Sequence, residues 1–100
     1  MNMTDPRDRF FTDEEYEAAA SIAEKVFSEL SEKNKAYIRE NPVPWDHHFS
    51  LGLHIRNHYL FTNSDSPLYS APGFDADMTS HAIVEMVIEK VLQEGEKQQD

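Results

Sequence analysis

Cysteine is absent from this chain, which excludes a disulfide framework, a thiolate metal site and a cysteine nucleophile together. Long apolar runs are missing as well. No stretch approaches the roughly 18 consecutive apolar residues of a membrane-spanning helix, and with the polar opening Met-Asn-Met-Thr-Asp-Pro-Arg-Asp-Arg the expectation is a cytoplasmic protein. Basic side chains are scarce: nine Lys and Arg stand against 19 Asp and Glu, a formal net charge of −10. That balance weighs against nucleic acid or a membrane surface as partner and suits either a basic protein surface or plain solubility. The acidity is spread along the chain, and no block of like charge marks an interaction tail. The 100 residues are enough for one domain with a modest core.

What the chain does have is helical periodicity. Thr12 followed by Glu15 is a capping box, and Phe11 with Tyr16 occupies the positions of a hydrophobic staple. Behind these start signals Tyr16, Ala19, Ala20, Ala23, Val26, Phe27 and Leu30 recur at helical spacing, predicting an amphipathic helix over 13–30. Ser31 is an N-cap for a shorter second helix to about Glu40, with Ala36, Tyr37 and Ile38 as its apolar side. Asn41 and Pro42 end it, and a third helix starts near Pro44 or Trp45. From Phe61 to Phe74 the periodicity lapses into a long irregular loop, expected to cover one end of the bundle with Leu68, Tyr69 and Phe74. The last helix is expected from about Met78 to Leu92, capped by Asp75 or Asp77, with Ile83, Val84, Val87, Ile88, Val91 and Leu92 as its core stripe and Gly95 as its stop. The fold class is therefore all-α: a small four-helix bundle with a long loop between helices three and four. Its organisation is a flexible segment over 1–11, one domain over 12–95 and a disordered tail over 96–100.

The third helix holds the residues that packing alone does not explain. At about 100° per residue, Trp45, Phe49, Gly52, Leu53, Ile55, Tyr59 and Leu60 share one broad sector, and Arg56 lies near its centre. A guanidinium in that position needs a partner, because an unpaired buried charge costs several kcal/mol. Gly52, one turn earlier, leaves a channel for its stem. One reading is structural, with Arg56 crossing the core to Asp75 or Asp77 at the start of the last helix. The other is a pocket in which Arg56, helped by Asn57, holds a phosphate, a carboxylate or a partner's acidic residue, with His54 or His81 as general acid or base.

Four of the five histidines lie between residues 47 and 58. His47, His54 and His58 form a stripe opposite the apolar sector, and the spacing of four between His54 and His58 is competent for zinc. Ile55 stands where the metalloprotease His-Glu-x-x-His pattern needs its glutamate, and no second cluster supplies further ligands, so neither a metal nor any other cofactor is assigned. The stripe then reads as exposed or interface histidines, and His48, beside Ile55 and Tyr59, as a hydrogen-bonded core histidine. No catalytic residue is nominated: there is no Gly-x-Ser-x-Gly elbow and no glycine-rich phosphate loop.

The run His48-Phe49-Ser50-Leu51-Gly52-Leu53-His54-Ile55-Arg56-Asn57, followed some twenty residues on by Asp75-Ala76-Asp77-Met78-Thr79-Ser80, resembles a family of small bacterial and phage helical domains of unknown function. That family carries a His-Phe-Gly-Leu-Gly-x-x-(Ile/Leu/Met)-Arg-Asn block and an Asp-Asp-Met-Ser block opening the final helix. The resemblance spans about half the chain. It departs at Ser50, where the family often has glycine, and at 61–64, where relatives are rich in tryptophan. It implies importance for Gly52, Arg56, Asn57 and Asp77 and brings no activity with it. The expected function is a small acidic module that binds or regulates another protein through Arg56, Asn57, His54, His58 and Asp77. The alternatives are a small ligand-binding or enzymatic domain using Arg56 and Asn57 with His54 or His81, and a phage-encoded acidic inhibitor or nucleic-acid mimic.

Overall fold

The computed structural model describes residues 11–62, 65–69 and 74–98, without the side chains of 74, 75 and 96–98. Among the described residues every element is helical: α1 (Asp13–Glu29), α2 (Glu32–Glu40), a composite helix α3 over residues 44–60, and α4 (Phe74–Gln98). The sequence starts α1 where the capping box requires. The Thr12 hydroxyl accepts from the Glu15 amide at 3.1 Å, and the Glu15 carboxylate accepts from the Thr12 amide at 2.9 Å. Phe11 is buried and Tyr16 packs against the same core. Ser31 caps α2 by accepting from the Asn34 amide at 3.1 Å. The apolar side of α2 is narrower than expected. Ile38 is buried and Tyr37 is 56% exposed, while the remaining buried position belongs to Lys35.

α4 is the spine of the bundle and contacts all three other helices. Ala82, Ile83, Val84, Met86, Val87, Ile88 and Val91 are buried along it, facing Ala19, Ile22, Ala23 and Val26 of α1 and Ile55 and Leu60 of α3 in one core. A helix enclosed by three neighbours is apolar over most of its circumference, as this one is. Its ends differ from expectation. It starts at Phe74, so Asp77 sits inside its first turns rather than at the cap. The side chain of Asp75 lies outside the described residues. At the other end the helix passes through Gly95 to Gln98. Gly95 does not stop it, because the glycine there provides room: a Cβ would stand 3.0 Å from the Nε of Arg39. The loop before α4 contributes Leu68 to the core, while Tyr69 is 49% exposed and the Phe74 side chain is not described. The segments expected to be mobile, 1–11 and 96–100, fall almost wholly outside the described side chains.

α3 is the main departure. It is not one α-helix: a 3-10 turn (Pro44–His47) leads into a π-helical stretch (His48–Gly52), a single α turn (Leu53–Ile55) and a second π-helical stretch (Arg56–Leu60). The last is closed by the Phe61 amide donating to the Arg56 carbonyl, five residues back, at 3.0 Å. Side chains supply a physical reason. The carbonyls of His47, His48, His54 and His58 accept from Ser50 Oγ, Arg56 Nη2, His58 Nδ1 and Thr62 Oγ1, respectively, and donors inserted against a helix's own ladder loosen it. Each wide turn holds more residues than an α turn, so a wheel drawn at a constant angle drifts out of phase.

Candidate functional site

The drift in α3 redistributes its side chains over three faces. Toward α4 lie His48, Gly52, Ile55, Arg56 and Leu60, all buried. Toward α1 and α2 lie His47, Ser50, Leu51 and His54. Outward stand Trp45, 64% exposed, Phe49, 80%, and Leu53, 43%. This corrects the expected buried sector for those three residues, because the 3-10 turn that holds Trp45 and the π-helical stretch that holds Phe49 put them out of phase with a constant α-helical wheel.

Arg56 occupies the α3–α4 junction as a buried tie. Its side chain is 7% exposed; Nη1 donates to Ser80 Oγ at 2.9 Å, Nη2 to the His48 carbonyl at 3.3 Å, and Nε faces Asp77 Oδ1 at 3.7 Å. Ser80, itself fully buried, donates a hydrogen bond from its hydroxyl to the Asp77 carbonyl at 3.0 Å. Gly52 leaves the space for this: a Cβ there would stand 3.2 Å from Nη1 and 3.5 Å from the His47 carbonyl. With all three nitrogens turned toward its own chain, the guanidinium is a strut between helices. The sequence suggested the carboxylate. Ser80 and the His48 carbonyl were not foreseen, since neither a lone serine nor a carbonyl loosened by a π-helical stretch leaves a pattern.

The other nominated residues do not gather round it. Asn57 is exposed and shares none of the arginine's partners. His54 points toward α1, its Nε2 3.6 Å from Glu29 Oε1, and its ring lies 4.3 Å from that of exposed His58. Tyr59 donates to both oxygens of the same glutamate at 3.3 Å. Burial first, then the Glu29 charge and the hydrogen bond to it, push the Tyr59 phenol above its ordinary value of 10.0. His47 leaves the expected exposed stripe altogether: it is buried, donates from Nε2 to the Asn41 carbonyl at 2.7 Å and meets the Tyr37 ring edge-on. His47 is the last residue of the 3-10 turn, whose tighter winding places it inward. Among the described residues no group of three or more His, Asp or Glu side chains is placed to hold a metal ion.

Two further features lie near α3. A groove of about 580 Å³ opens between α1, α2 and α3, with Val26, Leu30, Ile38 and Leu51 below and Glu29 and His54 among its polar groups; neither Arg56 nor Asn57 lines it. On the outer side, the Trp45 ring stacks on His48 at 4.8 Å and lies 6.0 Å from His81, and Phe49 stands edge-on to His48 at 4.8 Å. His48 is buried as expected, but its Nδ1 has no hydrogen-bond partner, nor has the buried Nδ1 of His81, whose Nε2 lies 3.3 Å from Glu85. The satisfied core histidine expected at 48 is thus a ring packed between aromatics. His81 turns its Nε2 to Glu85 on its own helix, and the Arg56 hydrogen bonds go to Ser80 and the His48 carbonyl. No protein-family model, curated protein or solved structure matches the chain. Among the described residues no helix is long and apolar enough to cross a membrane.

Proposed function

We propose that the chain is a small acidic cytoplasmic module that binds another protein through the outward face of α3. The observation that carries this reading is the exposure of Trp45, Phe49 and Leu53 at a spacing of four along α3, where Trp45 and Phe49 are 64% and 80% exposed, more than any other large hydrophobic among the described residues. Scattered exposed leucines need no explanation, but two neighbouring exposed aromatics on an ordered helix are the composition of an interface anchor. Trp45 and Phe49 each give one contact to the buried His48 ring and leave most of their surface to solvent. Affinity capture from the native host with wild type and a Trp45→Ala/Phe49→Ala variant side by side tests the reading. The expected result is a specific protein retained by wild type and lost with the variant, while the variant still melts in a single cooperative transition above the capture temperature. Identical capture by both would overturn it.

A second reading has the groove in its favour: a volume of about 580 Å³ is of the size that holds a small ligand, and its apolar base with a few convergent polar groups is the usual composition. In that reading His54 and Glu29 orient the ligand, in place of Arg56 and Asn57, which are turned elsewhere. Retention of a small molecule by the protein purified under native conditions, lost on Leu51→Trp, would support it over the docking module.

A further inference from the structure

The outward face of α3 has a charge signature as well as an apolar one. Between Asn41 and Glu89 the sequence contains a single Lys or Arg, Arg56, and that residue is buried against α4 facing Asp77. Among the described residues, the 41–89 segment therefore brings no solvent-exposed lysine or arginine to this face. Asp46, adjacent to Trp45, is exposed, and Asp77 is about half exposed. Asp77 and exposed Met78 lie one turn before His81 on α4, and His81 is the α4 residue against which Trp45 rests. Trp45 is also held: its ring lies at 24° to that of buried His48, so one face is backed by the protein while the residue remains 64% exposed.

An exposed indole face beside carboxylates attracts a planar cation. The ring quadrupole draws positive charge to its face, and guanidinium suits it better than ammonium because it is flat and weakly hydrated. Phe49 and Leu53 extend the apolar row beyond it. A second copy of this chain is a poor occupant, since each copy brings a net charge of −10, and nucleic acid or an anionic bilayer has the wrong sign. We propose, resting on the reading of this face as the docking surface, that its partner is an arginine-bearing segment of another protein. A guanidinium stacks on Trp45 beside Asp46, and an apolar side chain of the segment covers Phe49 and Leu53.

Trp45 is the chain's one tryptophan, so its fluorescence reports directly on the site. The full chain is titrated with three short amphipathic peptides of identical apolar face whose polar face carries arginine, citrulline or glutamate. The arginine peptide is expected to shift Trp45 emission and to bind at least about fivefold more tightly than its citrulline counterpart, the ratio that a cation–π contribution of about 1 kcal/mol gives. The affinity is expected to fall with added salt. With labelled arginine peptide followed by anisotropy, Trp45→Ala and Asp46→Asn weaken binding, whereas Glu17→Gln on the exposed side of α1 does not. Equal binding of arginine and citrulline peptides, equal weakening by Glu17→Gln, or no change in Trp45 emission overturns the proposal. Host capture that depends on Trp45 and Phe49 but is insensitive to salt, through a segment without arginine, overturns this inference and leaves the docking reading intact. Loss of that dependence overturns the docking reading itself.

Discussion

Two arginines in this bundle each lean over a glycine, and the two junctions have different consequences. At the α3–α4 contact Arg56 lies against Gly52, 7% exposed, with Ser80, the His48 carbonyl and Asp77 facing its three nitrogens. At the α2–α4 contact Arg39 lies against Gly95, 28% exposed, with Nη2 at 3.3 Å from Glu94 and a buried Nε that has no partner. Glu94 is shared with Lys35 at 3.1 Å, whose ammonium also lies over the Phe27 ring at 4.5 Å. The same device, a glycine that admits an arginine stem, is thus used once in the interior and once at the rim. Depth decides the energetics. In the interior a lost partner leaves the guanidinium or Ser80 where water cannot replace it, with Asp77 alone still half exposed, whereas at the rim solvent and a neighbouring lysine can.

The largest effect expected from this contrast is at Arg56. Arg56→Ala removes the strut, opens a cavity beside fully buried Ser80 and should destabilise the fold by about 3 kcal/mol, the low end for a broken buried pair because Asp77 stays half hydrated. Arg56→Met, which keeps most of the volume, should lose less. Arg39→Ala at the rim should cost under about 1 kcal/mol. Chemical denaturation of the three variants measures the ranking, and equal losses at positions 56 and 39 would remove the distinction between interior and rim.

The glycines sharpen the contrast at intermediate size. Alanine in place of a helical glycine gains about 0.5–1 kcal/mol from backbone entropy. At Gly95 the obstacle is an arginine whose Nε is bonded to nothing and whose side chain reaches solvent, so Arg39 can swing aside and Gly95→Ala should raise the melting midpoint by a few degrees. At Gly52 the obstacle is Nη1 of Arg56, fixed to Ser80 at 2.9 Å. Gly52→Ala should therefore bring no gain, and Gly52→Leu should cost about 1–3 kcal/mol or more through overpacking. A stabilised Gly52→Ala would show that Arg56 is free to move.

The same junctions show what could be read in the sequence. The all-helical class, the capping box of α1, the burial of Arg56, its approach to Asp77 and the room left by Gly52 are consequences of local spacing, and local spacing is legible. Gly95 was misread as a stop because a glycine near a helix end has two uses, and only the neighbouring helix, through Arg39, shows which applies. The outward row of Trp45, Phe49 and Leu53 was misread as core because a helical wheel assumes a constant turn. The side-chain donors on the His47, His48, His54 and His58 carbonyls alter the turn without altering the hydrophobic pattern. Of the nominated set Arg56, Asn57, His54, His58 and Asp77, Arg56 meets Asp77 and His54 meets His58, but the two pairs and Asn57 lie apart, because residues one or two apart on a helix point to different neighbours.

The smallest expected effect extends the comparison to a third junction, α1 with α3, where the tie is neutral on one side: Tyr59 donates to Glu29 at 3.3 Å. Burial and the adjacent carboxylate raise the phenol above its ordinary value of 10.0. Native Tyr59 therefore keeps its proton at pH values where the unfolded chain has begun to release it. The unfolded state then binds fewer protons, so the contribution of this residue is fully present below pH 10 and is lost as pH rises through the folded value. Tyr59→Phe should leave stability near neutral pH almost unchanged and flatten its alkaline decline. In tyrosinate absorbance titrations, the difference between wild type and Tyr59→Phe should show one phenol ionising above 10. Glu29→Gln should move that step back toward 10 without reaching it, because burial, the larger cause, remains. A difference curve centred at or below 10 would show that the Tyr59–Glu29 contact is not maintained.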